Sequence, residues 1–127
     1  MGFRCIRCGR CCQETEMILT PSDIARIEGL GYSLTYFAVK SPDGFYRLRN
    51  VDGHCVFYDP EERRCIIYPW RPLGCRVYPI VYDLDRRCIT VDLECPMAYT
   101  VTEEDIERAR SIIARILREL GFYHVVV

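Results

Sequence analysis

The sequence predicts a small α+β domain organised by metal, with short hairpins and irregular cysteine-rich loops closed by one amphipathic C-terminal helix. Three observations carry this: nine cysteines in 127 residues, a middle punctuated by glycine and proline, and a sustained helical period near the end. Half the residues are hydrophobic, enough for a modest core, and the length reads as a single cysteine-cluster domain over residues 1–127.

The first element after the N-terminal cysteines begins at Thr20, which can cap a helix, with Pro21 at the first helical position and Asp23 three residues after the cap. A short helix to about Glu28 follows, with Ile24 and Ile27 on its apolar face and Gly29 and Gly31 to stop it. Residues 31–39 read as a second short helix or an extended link, and Ser41-Pro42-Asp43-Gly44 as a turn. Phe45–Val51 alternates as a strand, Asp52-Gly53 signals a hairpin, and His54–Tyr58 returns before a turn at Asp59-Pro60-Glu61-Glu62. Three prolines and a glycine between Cys65 and Pro79 argue for a knuckled loop over a long regular element. Ile80–Asp85 and Cys88–Leu93 form a second hairpin around Arg86 and Arg87, ended by Cys95-Pro96. In the last helix Thr102 caps, Asp105 stands third, and Ile106, Ala109, Ile112, Ile113, Ile116, Leu117 and Leu120 keep helical period to Gly121.

The cysteines carry the chemistry. Cys5, Cys8, Cys11 and Cys12 fall within eight residues, and thiolates two residues apart can wrap one loop of backbone around one ion or cluster. Cys11 and Cys12 are adjacent, so their side chains diverge in extended backbone and are expected to do different jobs. Cys5, Cys8 and Cys11 parse as a ferredoxin-like triplet needing one remote thiol, while Cys12 either supports that site or joins distal cysteines in a second one. The distal residues Cys55, Cys65 and Cys75 are isolated, with nine residues between each and the next, unlike the paired knuckles of structural zinc sites. A triplet plus scattered single cysteines leans toward iron–sulfur over zinc.

Composition narrows the setting. The formal net charge is −1 from 17 basic and 18 acidic residues, so no overall field favours nucleic acid. No apolar run approaches the roughly 18 residues that span a bilayer, and no signal-peptide pattern opens the chain. The expected location is the cytoplasm, where reduced thiols are available to metal; disulfides are the competing use of nine cysteines. Sixteen arginines against Lys40 alone, with Gln13 and Asn50 the only amides, are compatible with a thermophile, in which intracellular disulfides also occur.

The block Cys5-x-x-Cys8-Gly9-x-Cys11-Cys12 is followed by Cys65-Ile66-Ile67-Tyr68-x-x-Arg71-Pro72-x-x-Cys75-Arg76-x-Tyr78-Pro79. These two motifs, in this order, resemble the YkgJ-type C-x-x-C-x-x-C-C family of zinc- or iron-chelating domains, which includes the flagellin lysine N-methylase. The resemblance runs from Cys5 to about Pro96 and places Cys55 and Cys95 among its cysteines, with Tyr78 where phenylalanine is commoner and Cys88 outside the pattern. It implies a cluster-binding domain around a [4Fe–4S] centre, with Cys5, Cys8, Cys11, Cys12, Cys55, Cys65, Cys75 and Cys95 as the ligand set. It also implies lysine methylation from S-adenosylmethionine as one activity, although the chain has no glycine-rich loop of the dinucleotide type and the methylase is longer.

Other residues divide between chemistry and packing. Arg71 and Arg76 flank the cysteine loop and could neutralise an anionic cluster or hold a carboxylate, with surface ion pairing equally available. Tyr68 and Tyr78 read as core aromatics with a polar tip. His54, whose side chain points away from that of Cys55 in the expected strand, and His124 read as structural. No histidine is paired to a thiol for nucleophilic catalysis, and Glu103-Glu104 sit at a helix start where they favour the dipole. Two functions follow from this reading: an iron–sulfur protein in redox or cluster-assisted group transfer acting with a protein partner or protein substrate, or a structural zinc module for protein interaction.

Overall fold

The computed structural model describes residues 16–123. The cysteine block Cys5, Cys8, Cys11 and Cys12, and His124, lie outside the described residues. Within them the chain is a mixed α+β arrangement of four α-helices and four small antiparallel sheets.

Strand β1 (Ile18–Leu19) leads into helix α1 (Pro21–Glu28), where Thr20 Oγ1 accepts from the Asp23 amide at 3.1 Å and Asp23 Oδ2 accepts from the Thr20 amide at 3.0 Å. The capping box expected there is present, and both of its residues are fully buried. The segment 31–39 is both things the sequence allowed: a one-turn helix α2 (Leu34–Phe37), then strand β2 (Ala38–Lys40). Strand β3 (Tyr46–Leu48) lies between β1 and β2, pairing Ile18 with Arg47 and Ala38 with Leu48.

The long hairpin expected from Phe45 to Tyr58 is cut into smaller ones. Asp52-Gly53 does turn the chain, with φ of 52° and 84°, the left-handed pair that a two-residue hairpin needs. It joins β4 (Asn50–Val51) to β5 (His54–Cys55), only two residues each. A separate pair, β6 (Tyr58–Asp59) with β7 (Arg64–Cys65), takes over beyond Phe57, whose buried ring sits edge-on to Tyr32 at 5.0 Å. The loop from Cys65 to Pro79 holds a 3-10 turn (Tyr68–Trp70) and the five-residue helix α3 (Leu73–Val77). Strands β8 (Ile80–Asp83) and β9 (Cys88–Val91) form the hairpin expected around Arg86 and Arg87, each starting where the sequence suggested and ending two residues sooner.

Helix α4 (Glu103–Glu119) repeats the capping box with Thr102 and Asp105 and buries Ala109, Ile113 and Leu117 at four-residue spacing. These pack with Val77 and Ile80 in one apolar cluster, while Leu19, Ile27, Phe37, Leu48, Phe57 and Ile67 build another. Ser22 at the start of α1 donates its amide and hydroxyl to Glu119 at 2.8 and 2.7 Å, joining α1 to the end of α4. Among the described residues no helix is long and apolar enough to cross a membrane.

Candidate metal centre

Three distal cysteines pack in or against the apolar cluster of Leu19, Ile27, Phe37, Leu48, Phe57 and Ile67. Cys55, the last residue of β5, is one of its buried members; Cys65, ending β7, and Cys75, the third residue of α3, pack against it partly buried. Cys95 is buried in a different turn, its amide donating to Asp92 at 3.3 Å and its carbonyl accepting from Ala98 at 3.0 Å. Cys88 is exposed on β9, across from Asp83. Among the described residues, no three His, Cys, Asp or Glu side chains are grouped so as to hold a metal ion.

The helix that carries Cys75 is held from a distance. Its N-cap is Pro72, whose ring offers no capping oxygen, and the Leu73 amide donates instead to Asp23 Oδ1 of α1 at 2.9 Å. Arg26, paired to that same oxygen at 2.6 Å, donates on to the Arg71 carbonyl at 3.1 Å and the Trp70 carbonyl at 3.3 Å. Next to Cys75, Gly74 faces Met17 so closely that a Cβ there would collide with the methionine sulfur. The Met17 carbonyl in turn accepts from the Leu48 amide at 3.0 Å. The backbone that follows the N-terminal cysteine block is thereby seated beside Cys75.

The flanking side chains resolve into distinct roles. The Arg71 guanidinium lies 4.0 Å over the Tyr68 ring and donates to the Tyr68 carbonyl at 2.8 Å, so this arginine folds back on its own turn. Arg76 is exposed on α3 beside Cys75. Tyr78 donates its hydroxyl to Asp92 at 2.9 Å, bridging the segment after Cys75 to the segment before Cys95. His54 stacks edge-on with Tyr58 at 5.4 Å, and its Nδ1 lies 3.2 Å from the Cys55 carbonyl.

Between Met17, Gly74 and Glu94 opens a cleft of about 460 Å³, walled by Val77, Ile80, Ile113 and Leu117. Its lining includes the carboxylates Glu16, Asp92 and Glu94 and, among the described residues, no Lys, Arg or His. Tyr82 also lines it, and among the described residues its buried hydroxyl has no hydrogen-bond partner. Asp23, Arg26 and Met17 were absent from the candidate residues read from sequence. Their signals were present as a capping pair and an ordinary apolar residue, but their long-range partners lie 31 to 57 positions away.

Residues 4–96 match the model of the CxxCxxCC family, described as "Putative zinc- or iron-chelating domain". The chain belongs to the CxxCxxCC family. The match to it contains all nine cysteines and ends before α4. Over 84 residues this CxxCxxCC chain is 33% identical to the uncharacterized protein MJ0661 of Methanocaldococcus jannaschii. The alignment covers 62% of the chain and 45% of that protein, so the chain spans about half the length of the curated relative it matches. No solved structure matches it.

Proposed function

We propose that this CxxCxxCC domain holds an iron–sulfur cluster of the [4Fe–4S] type, and uses it in electron transfer or cluster-assisted group transfer with a protein partner or protein substrate. The observation that carries the reading is the packing of Cys55, Cys65 and Cys75 on one apolar cluster that also takes in Met17. A cluster held by four thiolates would draw on these elements and on the Cys5–Cys12 block, which carries four cysteines. Met17 lies only five positions after Cys12, a stretch that even extended chain covers in at most about 18 Å.

The donor chemistry fits the group. Cysteine thiolates are the ligands that iron–sulfur clusters take, and the apolar packing around Cys55 excludes water that would raise the local dielectric. Cys5, Cys8 and Cys11 would hold it together with a thiol from Cys65, Cys75 or their neighbours, Cys12 and Cys95 completing or supporting the set. When bound, the cluster supplies one-electron chemistry or an iron site for substrate. The chain's own contribution is to orient the thiols from β5, β7 and α3 and to place Arg76 where its charge can offset an anionic centre. In a group-transfer role the substrate would sit in the cleft beside Gly74 and Glu94. Three carboxylates and, among the described residues, no basic one there favour a neutral or cationic group over a phosphate or carboxylate.

Anaerobic purification followed by iron, zinc and sulfide analysis and a visible spectrum tests the proposal. Iron and sulfide in near-equal amounts with thiolate-to-iron absorption support it. A colourless protein with stoichiometric zinc and no sulfide replaces it with the structural zinc module that the family description also admits. Thiols found fully oxidised in freshly made protein exclude both. Calorimetric titration of the loaded protein with S-adenosylmethionine separates methyl transfer from electron carriage, since a carrier gives no heat.

A further inference from the structure

We infer that Asp23 and Arg26 are positioning residues for the metal centre: they fix the start of α3, and with it Cys75, against the strand that follows the N-terminal cysteine block. The inference rests on Cys75 being a metal ligand, as proposed above. A capping box uses one carboxyl oxygen, and Asp23 Oδ2 meets that need at Thr20. Its other oxygen reaches fifty residues along the chain to the Leu73 amide, which Pro72 cannot cap. A fully buried carboxylate requires a cationic partner, and Arg26 provides it at 2.6 Å. The arginine's Nε and Nη2 donate to the carbonyls of Trp70 and Arg71, while its Nη1 donates to the Ser22 carbonyl within α1 at 3.4 Å. Carboxylate and guanidinium thus make three hydrogen bonds to residues 70–73, immediately before Cys75, which is more than α1 needs for itself. On its far side α1 follows β1 and Met17, which packs on Gly74. The pair therefore holds the start of α3, and Cys75 with it, on the β1–α1 segment, so that less ordering remains to be done at that ligand when metal binds.

The test uses the full chain purified anaerobically with its own metal, and measures release of that metal to a chromophoric chelator alongside the urea midpoint. Asp23→Asn keeps the side-chain shape without the charge, and Arg26→Lys keeps the charge without the fork. Glu119→Gln loosens α1 against α4 without touching residues 70–73, and Thr102→Ala removes the N-cap of α4. The expected result is release accelerated about tenfold or more in Asp23→Asn and Arg26→Lys. Glu119→Gln and Thr102→Ala should change it less than about twofold at comparable midpoints. Release that simply follows the urea midpoint across all four variants overturns the inference and leaves the pair a structural one. Should Asp23→Asn fail to fold, Arg26→Lys decides by the same criterion. Wild-type protein without metal overturns the proposed function as well, and metal retained at the wild-type rate in Cys75→Ser removes the premise about that ligand alone.

Discussion

Glu119 shows how much one side chain at a helix end can hold. Burial pushes its carboxyl up, but the hydroxyl and amide of Ser22 and the Arg115 guanidinium together bring it below the ordinary glutamate range. A carboxyl depressed by folding contributes stability above its unfolded pKa and loses it as pH falls through the folded value. Glu119→Gln should therefore lower stability by about 1–2 kcal/mol at neutral pH. It should also flatten the acid limb of a plot of urea midpoint against pH below the ordinary glutamate value; an unchanged limb would exclude this linkage. Asp43, drawn down by its hydrogen bond from Arg47 and the Phe45 amide, is open to solvent at a turn, and salt should screen it. At this scale the sequence was half transparent. The T-x-x-D pattern announced that Thr20 and Asp23 cap a helix, but neither the burial of that pair nor the reach to Leu73 has a local signature.

Helices α1 and α4 and the turn at Asp52-Gly53 could be read because each rests on local chemistry: a cap, a period of 3.6, and residues that accept positive φ. Strand β1 and the β6–β7 pair could not, since two-residue strands have no alternation to detect and owe their existence to partners far along the chain or to a turn. Helix α3 was hidden by the prolines around it, which forbid a long element and permit one of five residues. Two outcomes test these elements. Gly53→Ala, at φ 84°, should cost about 1 kcal/mol by urea denaturation, because a Cβ strains the left-handed backbone. Ile113→Ala, emptying the centre of the stripe that α4 packs on Val77 and Ile80, should cost about 2–5 kcal/mol.

At the scale of the whole molecule, two apolar clusters are linked by α3, whose Cys75 packs on one and whose Val77 belongs to the other. A metal bound through Cys75 should therefore be felt throughout the fold. Chelation under reducing conditions is expected to lower the denaturation midpoint measured by far-ultraviolet dichroism, α4 included, and a midpoint indifferent to chelator would refute this coupling. Cys75→Ser and Cys55→Ser should each lower the metal content of purified protein, whereas Cys88→Ser, on an exposed strand face, should leave it unchanged. The chain's membership of the family was legible in the cysteine spacings and in the order of the two motifs, which the family match bears out. The site's architecture was not: that Cys55, Cys65 and Cys75 share a cluster depends on a hairpin, a second hairpin and a short helix meeting in space, and spacing alone does not encode that meeting.

Trp70 is the chain's sole tryptophan, half exposed in the turn before α3, with its carbonyl held by Arg26 and Cys75 five residues on. Evolution has left an optical gauge there. An iron–sulfur chromophore that close would accept the indole's excitation and darken its emission, while zinc, which absorbs no visible or near-ultraviolet light, would leave it bright. A single fluorescence trace recorded as metal is stripped from the protein would thus register which metal had been present, even in a preparation too dilute for a colour to be seen.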